Sequence, residues 1–278
     1  MNARLLFILL LFTIGALWYI IGYWRRKAGE AAFAAARLTE KSEERERYCR
    51  LAVMAGHREA CRMFCLLHPE RFDGHSPHKP FKLRGIRISF YGYYYPSRYN
   101  ALLNDEQKAF CHSIYQFKQG DIHGIEFFKT CMNALQLKKR PYHIMFMPCS
   151  NWIKYGQRFK RLDWYIGKHR QDLTSGLYDV DICDARESLH EAKGGEKRIL
   201  ERNYLITGKI KGKEIIIIDD VLTTGQSVAD YKEEIERCGG KVVAAIFYGK
   251  TLSMPSMLLV QIHVWGNHIA HIIERMTK

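Results

Sequence analysis

Glu214 to Tyr231 reads EIIIIDDVLTTGQSVADY, four isoleucines running into two aspartates and then into a Thr-Thr-Gly turn. Ile215 to Ile218 are consecutive β-branched apolar residues, the pattern of a strand covered on both faces and therefore of a central strand in a parallel sheet. In open α/β sheets ligands sit beyond the carboxyl ends of the strands, which puts Asp219 and Asp220 where a ligand is read. If extended geometry persists, the two carboxylates project to opposite sides and need not repel at contact distance. Thr223, Thr224, Gly225, Gln226 and Ser227 then supply hydroxyls, small size and conformational freedom, and from Ser227 to Arg237 the apolar period is helical. A Gly/Thr-rich turn at a helix N-terminus aims unpaired N–H groups and the positive end of the dipole into the crevice, which favours a phosphate.

IIIIDDVLTTGQS closely resembles the ligand motif of the type I phosphoribosyltransferases, a hydrophobic run followed by two acids, two residues and Thr-Thr-Gly. The resemblance implies a parallel-sheet, Rossmann-like α/β domain that binds 5-phosphoribosyl 1-diphosphate (PRPP). It places the catalytic acids Asp219 and Asp220 on the ribose hydroxyls, with an indirect part in holding Mg²⁺, and Val221, Leu222, Thr223, Thr224, Gly225, Gln226 and Ser227 around the substrate, the Thr223–Ser227 turn on its 5′-phosphate. The implied reaction is displacement of pyrophosphate from C1 by a nitrogen nucleophile, with Mg²⁺ clamping the leaving group.

MPCSNWIKYGQRFKRL, Met147 to Leu162, and IYQFKQGD, Ile114 to Asp121, more particularly resemble the competence-protein ComF branch of that family. The resemblance covers about Tyr91 to Lys250. At the place of the first segment the family's loop contacts pyrophosphate, which implies that role for Arg158 or Lys154. The branch's cysteine-rich zinc module is missing here. The stretch DARESLHEAKGGEKRILERN, Asp184 to Asn203, keeps Arg198, Arg202 and Asn203 with a different spacing before the motif strand. With Gly194 and Gly195 it reads as a lid whose Lys197 or Arg198 reaches the pyrophosphate on closing, or as a solvated loop.

The 278 residues accommodate one α/β domain and an appendage. Ala3 to Trp24 is almost uniformly apolar or aromatic, about the length that crosses a bilayer core of ~30 Å, with Trp18, Tyr19, Tyr23 and Trp24 as an interfacial belt. Arg25, Arg26 and Lys27 follow. The expectation is a transmembrane helix holding the chain to the inner membrane by a single pass, with the C-terminal domain in the cytoplasm; a cleaved signal peptide is the competing reading. Residues 1–28 are then anchor and basic flank, 29–80 a helical segment with its loop, and 81–278 the phosphoribosyltransferase-like domain. Within the helical segment, Tyr48–Ala55 and Arg58–Leu67 about Gly56 read as a tetratricopeptide-like hairpin that must pack on the following domain, on another subunit or on a protein partner, or as a plain spacer. The eight cysteines are scattered, as reduced thiols are, and Cys61 and Cys65, one helical turn apart near His57 and His68, are read as packing rather than zinc ligands.

Beyond Pro80 the expected order is a strand at Ile86–Tyr91, helices at Asp105–Phe117 and Ile122–Leu137, a strand at His143–Met147, a helix from Trp152, a strand at Tyr178–Ile182, the motif strand and helix, and a strand at Lys241–Phe247. Between Lys129 and Arg170 lie ten Lys or Arg and one acid, Asp163, and the net charge is +14. Such a field attracts phosphates, nucleic acid or an anionic membrane surface. The rival class is therefore a non-catalytic competence (DNA-uptake) protein that binds single-stranded DNA, or that senses PRPP without turning it over.

Overall fold

The computed structural model describes residues 3–120, 124–182 and 203–277, without the side chains of 3–6, 8 and 9. Contacts divide the chain into two units, one comprising Met1–Gly74, Tyr99–Leu103 and Ser253–Lys278, the other His75–Arg98 and Asn104–Leu252.

The first unit is helical: α1 (Ala3–Leu38), α2 (Ser42–Met54), α3 (Arg58–Leu67), the short α4 (Pro69–Asp73) and a C-terminal helix, Met257–Met276. Gly56 makes the turn between α2 and α3 at φ +88°, a left-handed conformation that glycine adopts without strain. His57 caps α3, its Nδ1 accepting from the Ala60 N–H. Cys49, Ala52, Val53, Cys61, Met63, Phe64 and Cys65 are buried together. Burial pushes the Cys49 and Cys65 thiols up to about 12, which fits packing.

The membrane-span expectation for Ala3–Trp24 is overturned: among the described residues no helix is long and apolar enough to cross a membrane. α1 instead continues through the basic cluster to Leu38. The single-pass inner-membrane placement and the cytoplasmic orientation of the C-terminal domain fall with the span.

The second unit is built on a six-stranded sheet. Its strands are β1 (Phe81–Leu83), β2 (Ile86–Tyr94), β3 (Tyr142–Phe146), β4 (Leu173–Ser175), β7 (Glu214–Leu222) and β8 (Lys241–Thr251); β5 (Val180–Ile182) and β6 (Tyr204–Ile206) pair separately and antiparallel. The order is β1-β2-β8-β7-β3-β4, parallel except for β1. Helices α5 (Asp105–Lys118), α6 (Gly124–Leu135), α7 (Trp152–His169) and α8 (Gln226–Arg237) link the strands. Ile215 to Ile218 are fully buried in the centre, as four successive β-branched residues in a doubly covered strand must be.

From β3 the chain passes through α7 outward to β4, and from β7 it passes through α8 the other way to β8. Neighbouring strands whose connections leave in opposite directions define a switch point, and the crevice there opens at their carboxyl ends. Here that place lies between β3 and β7. Pairing of the two ends at Phe146 with Ile218, with one further bond from the Met147 N–H to the Ile218 carbonyl at 2.9 Å, while β7 continues beside β8 to Leu222.

Two sequence expectations change. Tyr178–Ile182 does not join the parallel sheet but pairs as β5 with β6, and the short β1, β4 and β6, too brief to show a period, were not anticipated. His143 fastens this region: its Nε2 meets Asp179 Oδ2 at 2.6 Å and its Nδ1 meets Thr174 Oγ1 at 2.7 Å. Burial, and then the Lys213 charge, hold His143 below its ordinary value of 6.5 against the pull of Asp179. A base depressed in the folded state binds fewer protons there than unfolded, so its contribution to stability is full above about 6.5 and is lost as pH falls through the folded value. Urea unfolding of the wild type should show that acid loss, and His143→Gln should be less stable near neutral pH with a flatter profile between neutral and mildly acidic pH.

Candidate active site

The two aspartates lie inside the last part of β7, not past its end. Strand geometry persists through them, with Asp219 paired to Phe247 and Val221 to Gly249 of β8, so adjacent residues alternate in direction. Both carboxylates also fold back on the chain. Asp219 Oδ1 accepts from the Asp220 N–H at 2.8 Å, and Asp220 Oδ1 accepts from the Val221 N–H at 2.7 Å.

Two cations hold the pair. Arg158 Nη1 on α7 lies 3.2 Å from Asp220 Oδ2 and 3.5 Å from Asp219 Oδ1, spanning both acids. Lys118 Nζ at the end of α5 lies 2.9 Å from Asp220 Oδ2. Gly249 lets α5 come this close: a Cβ there would meet Ile114 Cδ1 at 2.7 Å and Tyr94 Cβ at 3.0 Å. Asn151 starts α7 by accepting from the Lys154 N–H at 2.9 Å, and one turn later Arg158 faces the acids.

The environments drive the two carboxyls apart. Burial, and then the charge of Asp220, push Asp219 well above the usual carboxylate range. Burial works in the same direction on Asp220, but Arg158 and Lys118 outweigh it and hold that carboxyl below the usual range. An acid that holds its proton more tightly beside one that gives it up more readily lends the pair both donor and acceptor character, the complement of a diol. The Arg158 Nε is buried with no hydrogen-bond partner among the described residues, so the guanidinium has a donor left for an anion.

The turn follows directly. Thr223, Thr224, Gln226 and Ser227 are exposed, Val221 is half-buried, and Leu222 is buried. Gly225 caps α8 at φ +76°, where a Cβ would also strike Leu83 Cδ2 at 2.6 Å. The first N–H groups of α8 have no intrahelical acceptor and open at this turn, beside the acids.

Of the residues singled out from sequence, Asp219, Asp220, the turn and Arg158 come together. Arg158 touches the acids themselves, while Lys154 is exposed on the first turn of α7. Lys197 and Arg198 lie outside the described residues, as does most of the expected lid; Asn203 at its edge donates to the Cys149 carbonyl at 3.2 Å. Lys118 was missed as a site residue, although it lies in the IYQFKQGD stretch. Its signal was its place at the last position of a helix before Gly120. Tyr248 is core, lying flat on Phe127 at 4.8 Å between centroids, and offers no face to a ligand. The basic run divides: Arg158 enters the site, Lys154, Lys160, Arg161 and Lys168 face outward on α7, and Lys138, Lys139, Arg140 and Arg170 line a cavity of about 710 Å³ at the amino end of β3.

Residues 171–251 match the phosphoribosyl transferase domain family. An orotate phosphoribosyltransferase of Sulfolobus acidocaldarius is 42% identical over 57 residues, 20% of this chain and 26% of that protein. The chain thus spans about a quarter of the length of the curated relative it matches. The two matches support a type I phosphoribosyltransferase domain in this chain. They do not extend to the competence-protein branch, to DNA or to a membrane.

Removing one side of a buried ion pair leaves the other charge unpaired, at a cost of roughly 3–5 kcal/mol. Arg158→Met should therefore lower the urea-unfolding free energy by about 3 kcal/mol near neutral pH. Since Asp220 is depressed when folded, its contribution is present above the unfolded value and lost as pH falls through the folded one. The deficit of the variant should accordingly shrink in acid, as Asp220 takes up its proton.

Proposed function

We propose that this chain binds PRPP at the carboxyl end of β7 and transfers its phosphoribosyl group to a nitrogen nucleophile, releasing pyrophosphate. The observation that carries the reading is the buried acid pair at a sheet switch point, followed without a break by the Thr-Thr-Gly turn that opens α8. In this reading Asp219 and Asp220 take the ribose 2′- and 3′-hydroxyls. Val221 and Leu222 shape the approach, and Thr223, Thr224, Gly225, Gln226 and Ser227 take the 5′-phosphate through hydroxyls and backbone N–H groups.

Lys118 and Arg158 keep the carboxylates in place before substrate arrives. On binding, ribose hydroxyls replace part of those ion pairs, and the cations then face the diphosphate. Lys197 and Arg198 are assigned to the same leaving group. Catalysis is electrostatic, charge on the departing pyrophosphate being met by cations already oriented.

Mg²⁺ fits this site as an ion carried by the diphosphate. Among the described residues no cluster of three or more His, Cys, Asp or Glu makes a metal cage, and two carboxylate residues suit an ion that keeps water and phosphate ligands. Bound there, Mg²⁺ would supply positive charge to the leaving group, with Asp219 and Asp220 as the carboxylates that would hold it indirectly. The nitrogen acceptor is open, and orotate, from the name of the relative, is the first to screen.

Calorimetry of PRPP with and without Mg²⁺, on the wild type and on an Asp219→Asn, Asp220→Asn variant, tests the reading. Mg²⁺-dependent binding that the variant loses by at least tenfold, about 1.4 kcal/mol, is the expected result. Release of pyrophosphate with an added base establishes transfer, whereas tight binding without release under any base makes the domain a PRPP sensor. Folded wild type that ignores PRPP contradicts the proposal.

A further inference from the structure

The C-terminal helix of the first unit buries its less apolar face. Val260 and Val264 pack inward, and Asn267, His268 and His271 line a cavity with residues of α2 on the same side. On the other side Leu258, Ile262, Trp265, Ile269, Ile272 and Met276 are between 41 and 82% exposed. A helix that hides valines and shows leucine, isoleucine and tryptophan has an unmet partner.

The spacing suits a second copy. The six exposed residues recur at intervals of 4, 3, 4, 3 and 4, the alternation that a paired helical seam uses, and at a mean of 3.6 residues the stripe runs straight along one face of the helix. The series also reads the same in both directions. Laid antiparallel on a copy of itself about a two-fold axis near Asn267, it sets Leu258 against Met276, Ile262 against Ile272 and Trp265 against Ile269, so every seam residue meets another seam residue. Antiparallel helices also place opposite dipole ends together.

Two further observations agree. With Leu259 and Ile273 beside the seam, and ~200 Å² for a large apolar residue, the exposed apolar surface is roughly 900 Å², above the ~800 Å² per partner of a standard interface. Gly266 lies mid-helix beside Trp265, and a Cβ added there would meet nothing within 4 Å. Glycine in a helix interior weakens the helix relative to alanine, and no described neighbour crowds this position. Close approach of a second helix gives a reason for it.

We propose that the chain forms a two-fold homodimer through antiparallel pairing of its C-terminal helices along the Leu258–Met276 seam. The partner is a second copy of this chain.

Sedimentation of the full chain at micromolar concentration should give twice the 32.5 kDa chain mass, and Ile262→Asp with Ile269→Asp should return it to one chain mass. Both positions are exposed, so the circular dichroism of the variant should match the wild type. Register is read separately by cysteines: Ile262→Cys and Ile272→Cys chains should crosslink when mixed and not when each is alone. A wild type of single-chain mass overturns the proposal, as does an assembly that the aspartates leave unchanged. Crosslinking of each cysteine variant with itself overturns the antiparallel register, and association with lipid vesicles without a dimer makes the seam a lipid surface instead.

Discussion

Asp219 and Asp220 sit side by side in the last part of a central strand, and Arg158 and Lys118 hold them there. Two buried carboxylates in such a place would be costly without countercharge, and the shared guanidinium, with the lysine on Asp220, is what the local fold must supply. This fixes the end of α5, brought close by Gly249, and the first turns of α7, set by the Asn151 cap. It also requires β3 to stop at Phe146, so that β7 runs on unpaired on that side and the crevice opens beside the acids. The sheet order and the pairing of charges are thus two aspects of one constraint.

The centre of this arrangement was legible in the chain because its signals are local. Four consecutive isoleucines have few readings other than a doubly covered strand, and Asp-Asp followed by Thr-Thr-Gly and a helical period marks the strand-to-helix turn. Strand geometry alone put the two acids on opposite sides, out of each other's reach, whereas one Arg158 nitrogen touches both carboxylates and the charge of Asp220 acts directly on Asp219. The cations were less legible. Arg158 emerged only as one residue in a basic run, and nothing in periodicity says which of ten cations folds inward. Lys118 reaches Asp220 from about a hundred residues away in sequence, through a helix-to-sheet approach that depends on Gly249. Contacts of this kind are decided by tertiary packing.

The short strands were illegible for a different reason. β1, β4 and β6 have three residues each, too few for a period of two to be distinguished from chance. The N-terminal reading did not hold: hydrophobicity over Ala3–Trp24 was counted as a span, whereas no described helix is long and apolar enough to cross a membrane, and the helix there continues through the basic cluster to Leu38. At the other end of the chain, Met257–Met276 is a helix whose more apolar side faces outward. Composition could not have told those sides apart; the 4-3-4-3-4 spacing could.

Hydrogen exchange at the amides of residues 223–228, with and without PRPP and Mg²⁺, tests the central claim most directly, because it reads the turn rather than the acids. The account predicts slowed exchange there, accompanied by changes at the ends of α5 and α7 that carry Lys118 and Arg158. Exchange unchanged at the turn while the ligand binds, or slowed only around the basic cavity at Arg140 and Tyr142, would contradict it.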